Sequence, residues 1–259
     1  MIGNATLDRL ASEVLLAGAM ELRAVPARVT NAEVDGLPLA NRPFLYASGN
    51  WGPGYIMVKG LVGQPHLMRM LCKYLAFELA EKWPTGIDFV AGNVTGGMIP
   101  GWIVAYELSE LLGKTVPFVY IRELRKTGGH KELITGVQKN PEILSGAQGV
   151  DMEELVNFAQ TIVNGAGVLR AAGFQANKGT CLLYYGNPEA DKELANAGIE
   201  MTYLLALPRL IDVAEKIGVV CAPGLDRHEC LADYRRFLQN PKQWQAERGL
   251  VKVEKGGTQ

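Results

Sequence analysis

The chain has 259 residues, of which 48% are hydrophobic and 20% are charged, and its formal net charge is −1. This length and composition are typical of a globular protein with a sizeable core, and the near-neutral charge argues against a protein that coats nucleic acids or anionic membranes. No apolar run approaches the roughly 20 residues of a membrane span and the N-terminus has no signal-peptide pattern, so we expect a cytoplasmic protein.

The first half of the chain alternates helix and strand signals. Apolar residues at helical spacing predict a helix over residues 7–22, and prolines between residues 23 and 43 predict an irregular arm or hairpin. The elements predicted next are a strand over residues 55–62, a helix over Pro65–Lys82, a strand over residues 89–91, a loop over residues 92–97, a helix over residues 99–112 and a strand over residues 116–121.

The second half repeats this rhythm and ends in a tail. Predicted helices over residues 163–172, 188–197 and 208–217 alternate with predicted strands over residues 180–185 and 201–205. This alternation predicts an α/β fold whose mostly parallel sheet is flanked by helices. The tail, residues 226–250, is expected to form one or two packing helices. We predict one structural domain with three parts: an N-terminal helix and arm (1–64), a core (65–218) and a helical C-terminal extension (219–259).

The four cysteines are not arranged as a metal site. Cys72, Cys181, Cys221 and Cys230 have no metal-type spacing, and two of them lie in apolar runs. We therefore expect buried free thiols, as in a reducing compartment.

Residues 117–136, PFVYIRELRKTGGHKELITG, combine an apolar run, a basic tip that contains two glycines, and a second apolar run. This order predicts a strand, a tip and a returning strand, with Arg122, Lys126, His130 and Lys131 as cations. Such cations can donate charge-assisted hydrogen bonds to phosphate oxygens, and glycines permit large excursions of the tip. The segment alone fits either a lid over a phosphorylated ligand or an exposed, solvated turn.

Four segments in register resemble the orotate phosphoribosyltransferases, which are type I phosphoribosyltransferases. LYASGNWGPGYIMVKGLVGQP (45–65) resembles the family's opening segment, and VAGNVTGGMIPGWIVAYEL (90–108) resembles its glycine-rich diphosphate loop and the following helix. Residues 117–136 resemble its mobile loop between two strands, and residues 182–214 resemble its C-terminal part.

The resemblance implies a fold, an activity and partners. The fold would be that of a type I phosphoribosyltransferase, with the N-terminal arm as a hood over the active site. The reaction would transfer ribose 5-phosphate from phosphoribosyl diphosphate (PRPP) to orotate, giving orotidine 5′-phosphate and diphosphate in pyrimidine nucleotide synthesis. Mg²⁺ would be the cofactor, held mainly by PRPP rather than by side chains, and the protein would be a homodimer that binds neither nucleic acid nor membrane.

The resemblance also assigns residues to the site. Glu153 and Glu154 match the acidic pair that binds the ribose hydroxyls, and Gly96 and Gly97 match the diphosphate loop. The 5′-phosphate would be bound by Asn157, Phe158, Ala159, Gln160 and Thr161. The lid would supply Arg122, Lys126, His130 and Lys131, with Arg122, Lys126 and Glu154 as the catalytic residues. The base would be held by Ser48, Gly49 and Tyr55.

The phosphate loop departs from the family pattern. Only Thr161 keeps the expected hydroxyl, and without glycine the loop is expected to reach the left-handed conformation less easily. The strand before it is also unusual, because Gln148, Gly149 and Asp151 replace aliphatic residues. In the lid, Glu123 and Gly128 stand where lysine and histidine are usual.

These departures leave alternatives open. Asp151 and Glu154 also fit a capping box, which would begin one amphipathic helix in place of the strand and phosphate loop. A homologue that has lost catalysis, and that senses nucleotide or PRPP or is structural, would fit the changed loop. A phosphoribosyltransferase for another base is a third interpretation, against which the orotate-like C-terminal part counts.

Overall fold

A computed structural model describes residues 1–122, 133–138, 140, 143–218 and 224–254, and its N-terminal part forms the predicted arm. The first helix is shorter than predicted, because a left-handed glycine at position 18 follows its end and the chain then forms a strand. The predicted strand over residues 55–62 is also short, since a 3₁₀ helix over Val58–Gly63 replaces its second half. The elements of this part are α1 (Asn4–Leu16), β1 (Met20–Leu22), β2 (Phe44–Leu45), β3 (Trp51–Gly52) and β4 (Gly54–Ile56).

Two small antiparallel ladders shape the arm. Strand β1 pairs with β4, and β2 pairs with β3, so the chain reverses over residues 46–50 and presents this turn beside the core. We call residues 46–50 the hood turn. The stretch between β1 and β2 contains 3₁₀ turns at Val34–Gly36 and Leu39–Asn41, which agrees with the predicted irregular arm.

A six-stranded sheet forms the centre of the core. Its strand order is β10-β9-β8-β5-β6-β7, and every neighbouring pair is parallel except the antiparallel pair of β6 and β7. The strands are β5 (Phe89–Asn93), β6 (Phe118–Ile121), β7 (Ile134–Thr135), β8 (Gln148–Val156), β9 (Gln175–Tyr184) and β10 (Glu200–Ala206). The predicted α/β class and its mostly parallel sheet are confirmed.

Helices cover both faces of this sheet, as parallel sheets require. Along β5 the side chains alternate, so that Val90 joins the apolar cluster beneath α2 and α3 whereas Phe89 and Ala91 join the cluster beneath α4. The helices are α2 (Pro65–Lys82), α3 (Met98–Leu112), α4 (Gln160–Ala171), α5 (Pro188–Asn196) and α6 (Leu207–Ile217). None of the helices in the part of the chain that the structure describes is long and apolar enough to cross a membrane.

Strand β8 refutes the capping-box interpretation. Asp151 lies within the strand and is fully buried, so it begins no helix. The polar residues that made this strand unusual are compensated by tertiary contacts. Asn93 Nδ2 donates to Asp151 Oδ1 at 2.6 Å, Gln148 Nε2 donates to the carbonyl oxygen of Gln175 on β9 at 3.2 Å, and Gly149 leaves room for the ring of Phe89. These contacts join residues that are distant in sequence, so a pattern in a single sequence does not reveal them.

The tail forms two helices, α7 (Arg227–Gln239) and α8 (Pro241–Arg248), which pack on the hood and on α6. Trp244, Arg248 and Asp233 tie the two helices together, since Trp244 Nε1 and Arg248 Nη2 both donate to Asp233 Oδ1 at 3.0 and 2.7 Å. Beyond α8, the N–H of Val253 donates to the carbonyl oxygen of Gly49 at 2.8 Å. The C-terminal extension therefore contacts the hood turn directly.

Candidate active site

A cleft of about 190 Å³ opens at the carboxyl end of β8, between that strand and the hood. Ligands of open α/β sheets bind at this edge. One wall consists of hood residues and the other of the segment that joins β8 to α4. The lining residues are Tyr46, Ala47, Ser48, Tyr55, Tyr185 and residues 153–162.

The acidic pair lies at the floor of this cleft. Glu153 and Glu154 are the sixth and seventh residues of β8, and the strand continues for two residues beyond them. Glu153 is buried, and burial first, then the hydrogen bond and charge of Glu154, raises the pKa of its carboxyl. Two adjacent carboxylates with little solvent are a site that a cation or hydroxyl donors would stabilise.

The predicted phosphate loop is a short turn rather than a seven-residue loop. Leu155 and Val156 still belong to β8, and Gln160 already begins α4, so only residues 157–159 connect them. Ala159 adopts φ 61°, the left-handed region, and precedes the first helical residue. The turn therefore reaches the left-handed conformation without a glycine, and the energetic cost expected for this stays a prediction.

The N-terminus of α4 faces the cleft. Gln160, Thr161 and Ile162 line it, and among the described residues no side chain caps this helix. The first N–H groups of a helix have no intrahelical acceptor, and the helix dipole adds positive charge there. This arrangement suits an anion such as a phosphate.

Asn187 holds the turn in place and was not identified from the sequence. Its fully buried side chain donates from Nδ2 to the carbonyl oxygen of Asn157, and to Asn157 Oδ1 at 2.9 Å. Its Oδ1 accepts from the N–H of Ala190 at 2.9 Å and so caps α5. The Asn-Pro pair at positions 187 and 188 is a helix-start signal from which the cap could have been identified, but not the contact with the turn.

The diphosphate loop lies against the acidic pair. The loop follows β5. A side chain at Gly96 would overlap the carboxylate of Glu154. A side chain at Gly97 would overlap the carbonyl oxygen of Met152 and would lie 2.8 Å from the backbone nitrogen of Asn93. Only glycine permits this approach of the two segments. The structure thus brings together the two segments assigned to the diphosphate and the ribose.

A cation also reaches the diphosphate loop. Lys59 Nζ donates to Thr95 Oγ1, and the lysine side chain is exposed. Neither this lysine nor its partner was identified from the sequence. Lys59 thereby places a positive charge beside Gly96 and Gly97.

The hood turn supplies both contacts and support. Ser48 and Tyr55 line the cleft, whereas Gly49 has φ 82° and donates its N–H to the carbonyl oxygen of Tyr46 at 2.9 Å. Ser48 and Gly49 are therefore a turn that also borders the site. Tyr55 is 38% exposed and stacks on Tyr46, and burial and the charge of Glu154 raise the pKa of its phenol.

The two strands of the predicted lid are present. Residues 120 and 121 of β6 pair with residues 135 and 134 of β7. Arg122 is not among the residues that line the cleft. It donates to Thr135 Oγ1 at 3.2 Å and to the Tyr120 hydroxyl at 2.9 Å at the carboxyl end of β6. The other lid residues, Glu123, Lys126, Gly128, His130 and Lys131, lie outside the described residues.

The donor set fits a metal that is held mostly by a ligand. Among the described residues no group of three or more His, Cys, Asp or Glu side chains could hold an ion. Glu154 Oε2, however, is buried without a hydrogen-bond partner beside the diphosphate loop. Hard cations such as Mg²⁺ bind one or two carboxylates together with phosphate oxygens and water, and this orphaned oxygen suits that role.

Solved structures share the fold. Orotate phosphoribosyltransferase from Aeropyrum pernix superposes with a TM-score of 0.57 at 23% identity, over 81% of this chain and 98% of that chain. UMP synthase from Leishmania donovani superposes with a TM-score of 0.62 at 21% identity, over 91% of this chain but only 42% of that chain. No family model matches the chain.

Two curated relatives have the same name. The chain is 29% identical to orotate phosphoribosyltransferase from Rhizobium meliloti over 256 residues, which is 98% of each chain. It is 30% identical to orotate phosphoribosyltransferase from Agrobacterium fabrum over 211 residues, which is 81% of this chain and 84% of that relative. The protein therefore belongs to the orotate phosphoribosyltransferase family.

Proposed function

We propose that this protein transfers ribose 5-phosphate from PRPP to orotate, releasing diphosphate and forming orotidine 5′-phosphate. The observation that carries the proposal is the cleft at the end of β8. Its floor holds Glu153 and Glu154, the free N-terminus of α4 lies at one end, and the hood turn with Tyr55 closes the opposite wall. Carboxylates for the ribose, helix N–H groups for the phosphate and an aromatic wall for the base would therefore lie within one small cleft.

The proposed binding mode follows from the charges of the cleft. The 5′-phosphate would accept from the first N–H groups of α4, and the ribose hydroxyls would donate to Glu153 and Glu154. Mg²⁺, bound with the diphosphate, would supply the positive charge that lets this anion lie beside Glu154. Lys59 would donate to the diphosphate at the loop of Gly96 and Gly97.

Catalysis would depend on placement and on charge. Bond breaking at the ribose leaves positive charge on the sugar and negative charge on the departing diphosphate, so cations near the leaving group lower the barrier. We assign this role to Arg122 and Lys126, with His130 and Lys131 completing a lid that excludes water. The buried free thiols of Cys72 and Cys181 support a reducing, cytoplasmic setting for the reaction.

A homodimer is proposed through the outer face of α3. Ile99, Trp102 and Tyr106 lie one turn apart on this helix, are each about half exposed, and Trp102 stacks on Tyr106 with ring centroids 6.4 Å apart. Exposed aromatic residues in a contiguous patch mark protein interfaces. Because α3 begins at the diphosphate loop, this interface would bring a second copy close to the site. Light scattering tests this interface: the unmodified protein should be a dimer, and the Trp102→Glu variant should be a monomer.

The test of the reaction is turnover. With Mg²⁺, PRPP and orotate, the absorbance of orotate should fall, and the fall should be abolished in Lys126→Ala but not in Lys192→Ala, an exposed lysine on α5. Absence of turnover in the unmodified protein, with saturable PRPP binding, would refute the enzyme and favour a PRPP-binding homologue that has lost catalysis.

Phe158 motivates that second candidate, because an apolar ring packed 6.2 Å from Tyr46 replaces a hydroxyl at the phosphate turn. Turnover with another base alone would reassign the substrate.

A further inference from the structure

A buried glutamine on the C-terminal helix α8 bonds to the hood turn and to the strand after it. Gln245 Oε1 accepts from the N–H of Trp51 at 2.9 Å, and its Nε2 donates to the carbonyl oxygen of Pro241 at 3.2 Å and to Asn50 Oδ1 at 3.3 Å. A backbone N–H only donates and a backbone carbonyl only accepts, so these two partners fix which end of the Gln245 amide is oxygen. The amide of Gln245 therefore has one possible orientation.

The orientation of Gln245 determines that of Asn50. Since Gln245 donates to Asn50 Oδ1, the Nδ2 group of Asn50 faces Ser48, and it donates to Ser48 Oγ at 3.1 Å. The backbone N–H of Asn50 donates to the same oxygen at 3.3 Å. A hydroxyl has two acceptor positions and one proton. With both acceptor positions occupied by Asn50, the proton of Ser48 is left for another acceptor, and Ser48 borders the cleft.

We propose that Gln245 is a positioning residue that acts through Asn50 to make Ser48 a hydrogen-bond donor to an acceptor oxygen of the base. This inference rests on the proposed function. It adds a specificity rule: the cleft accepts a base that presents a carboxylate or carbonyl oxygen to Ser48 and disfavours one that presents an N–H there. The C-terminal extension thus takes part in substrate choice without touching substrate.

We call the hydrogen bonds from Gln245 through Asn50 to Ser48 the relay. Replacing the Nε2 donor group of Gln245 by an oxygen tests it. In Gln245→Glu, a carboxylate replaces the Nε2 donor, so the Asn50 amide turns, its Oδ1 faces Ser48, and the Ser48 proton is donated to Asn50 instead of to the base. Loss of one hydrogen bond to a charged group should raise KM for orotate by roughly tenfold or more. KM for PRPP should stay unchanged. Gln243→Glu, the same change at an exposed position of α8, should alter neither constant.

Two further variants distinguish an effect of Gln245 on the orientation of Ser48 from an effect on the folding of the protein. Asn50→Asp keeps an acceptor for Gln245 and presents a carboxylate oxygen to Ser48, so it should raise KM for orotate in the same way. In a Ser48→Ala background, Gln245→Glu should have no further effect, because neighbouring residues that act through one group are not additive. Equal orotate KM in Asn50→Asp and the unmodified protein, or additive effects, would overturn the relay alone. Absence of orotate turnover in the unmodified protein would overturn the proposed function and the relay with it.

Discussion

Two glycines of α4 should respond with opposite sign to the same substitution. Gly165 is buried, and a Cβ there would lie 2.6 Å from Asn93 Oδ1 and would also overlap the carboxylate of Asp151. Gly167, two residues further along the helix and exposed, would have no atom within 4 Å of a new Cβ. Gly165→Ala therefore tests whether α4 is packed on the buried Asn93–Asp151 pair, and Gly167→Ala is its matched control.

The magnitudes follow from helix propensity and from overpacking. Replacing glycine by alanine in a helix interior stabilises by about 0.5–1 kcal/mol, which is the expected result for Gly167→Ala. At Gly165 the same gain is opposed by a methyl group forced into a filled space, which costs about 1–3 kcal/mol. Because the propensity gain is common to both variants, their unfolding free energies should differ by about 1–3 kcal/mol.

Urea unfolding followed by circular dichroism, with thermal unfolding as a second measurement, gives this difference. For a chain of this size each kcal/mol corresponds to about 2–4 °C in Tm. Equal stability of the two variants, or a more stable Gly165→Ala, would show that α4 does not press on the Asn93–Asp151 pair. The contact of α4 with strands β5 and β8, as described above, would then be wrong.

Three other substitutions test the surroundings of the cleft. Burial raises the pKa of the Asp151 carboxyl, so that its contribution to stability is present below the unfolded pKa and lost as the pH rises through the folded pKa. Asp151→Asn should therefore flatten the fall of unfolding free energy that begins as the pH rises above about 4, the ordinary pKa of an aspartate, whereas an unchanged slope would contradict the burial. Asn187→Ala removes a helix cap and the donor to Asn157, and should cost about 2–3 kcal/mol in urea unfolding. Ala159→Val places a β-branched residue at φ 61° and should cost at least about 1 kcal/mol, which a stability equal to the unmodified protein would refute.

Local patterns sufficed for much of the fold. The bounds of α2 were predicted to the residue, because Pro65 marks its first turn and apolar residues recur at helical spacing up to Lys82. The alternation of strands and helices predicted the parallel sheet, and ligands of such sheets bind at the carboxyl ends of the strands, where the cleft lies. Strand β8 was harder to predict, since Asp151 and Gln148 are tolerated only through bonds to residues distant in sequence.

The candidate site was predictable in its segments but not in its contacts. The sequence indicated the acidic pair and the diphosphate glycines, but their mutual contact arises only when β5 and β8 lie side by side. The relay from Gln245 to the hood turn joins residues 195 positions apart, and no local signal reports it. Arg122 matched the resemblance, yet the structure shows it bonded to Thr135 and outside the cleft lining.

Binding of PRPP to the cleft at the end of β8 is the most direct test of the account. Titration calorimetry with Mg²⁺ should show saturable binding of PRPP to the unmodified protein. Affinity should be weakened roughly tenfold or more in Glu154→Gln, because a charged acceptor of the ribose hydroxyls is lost. Glu193→Gln, an exposed change on α5, should bind as the unmodified protein does. No binding of PRPP, or equal affinity in Glu154→Gln, would contradict the assignment of this cleft.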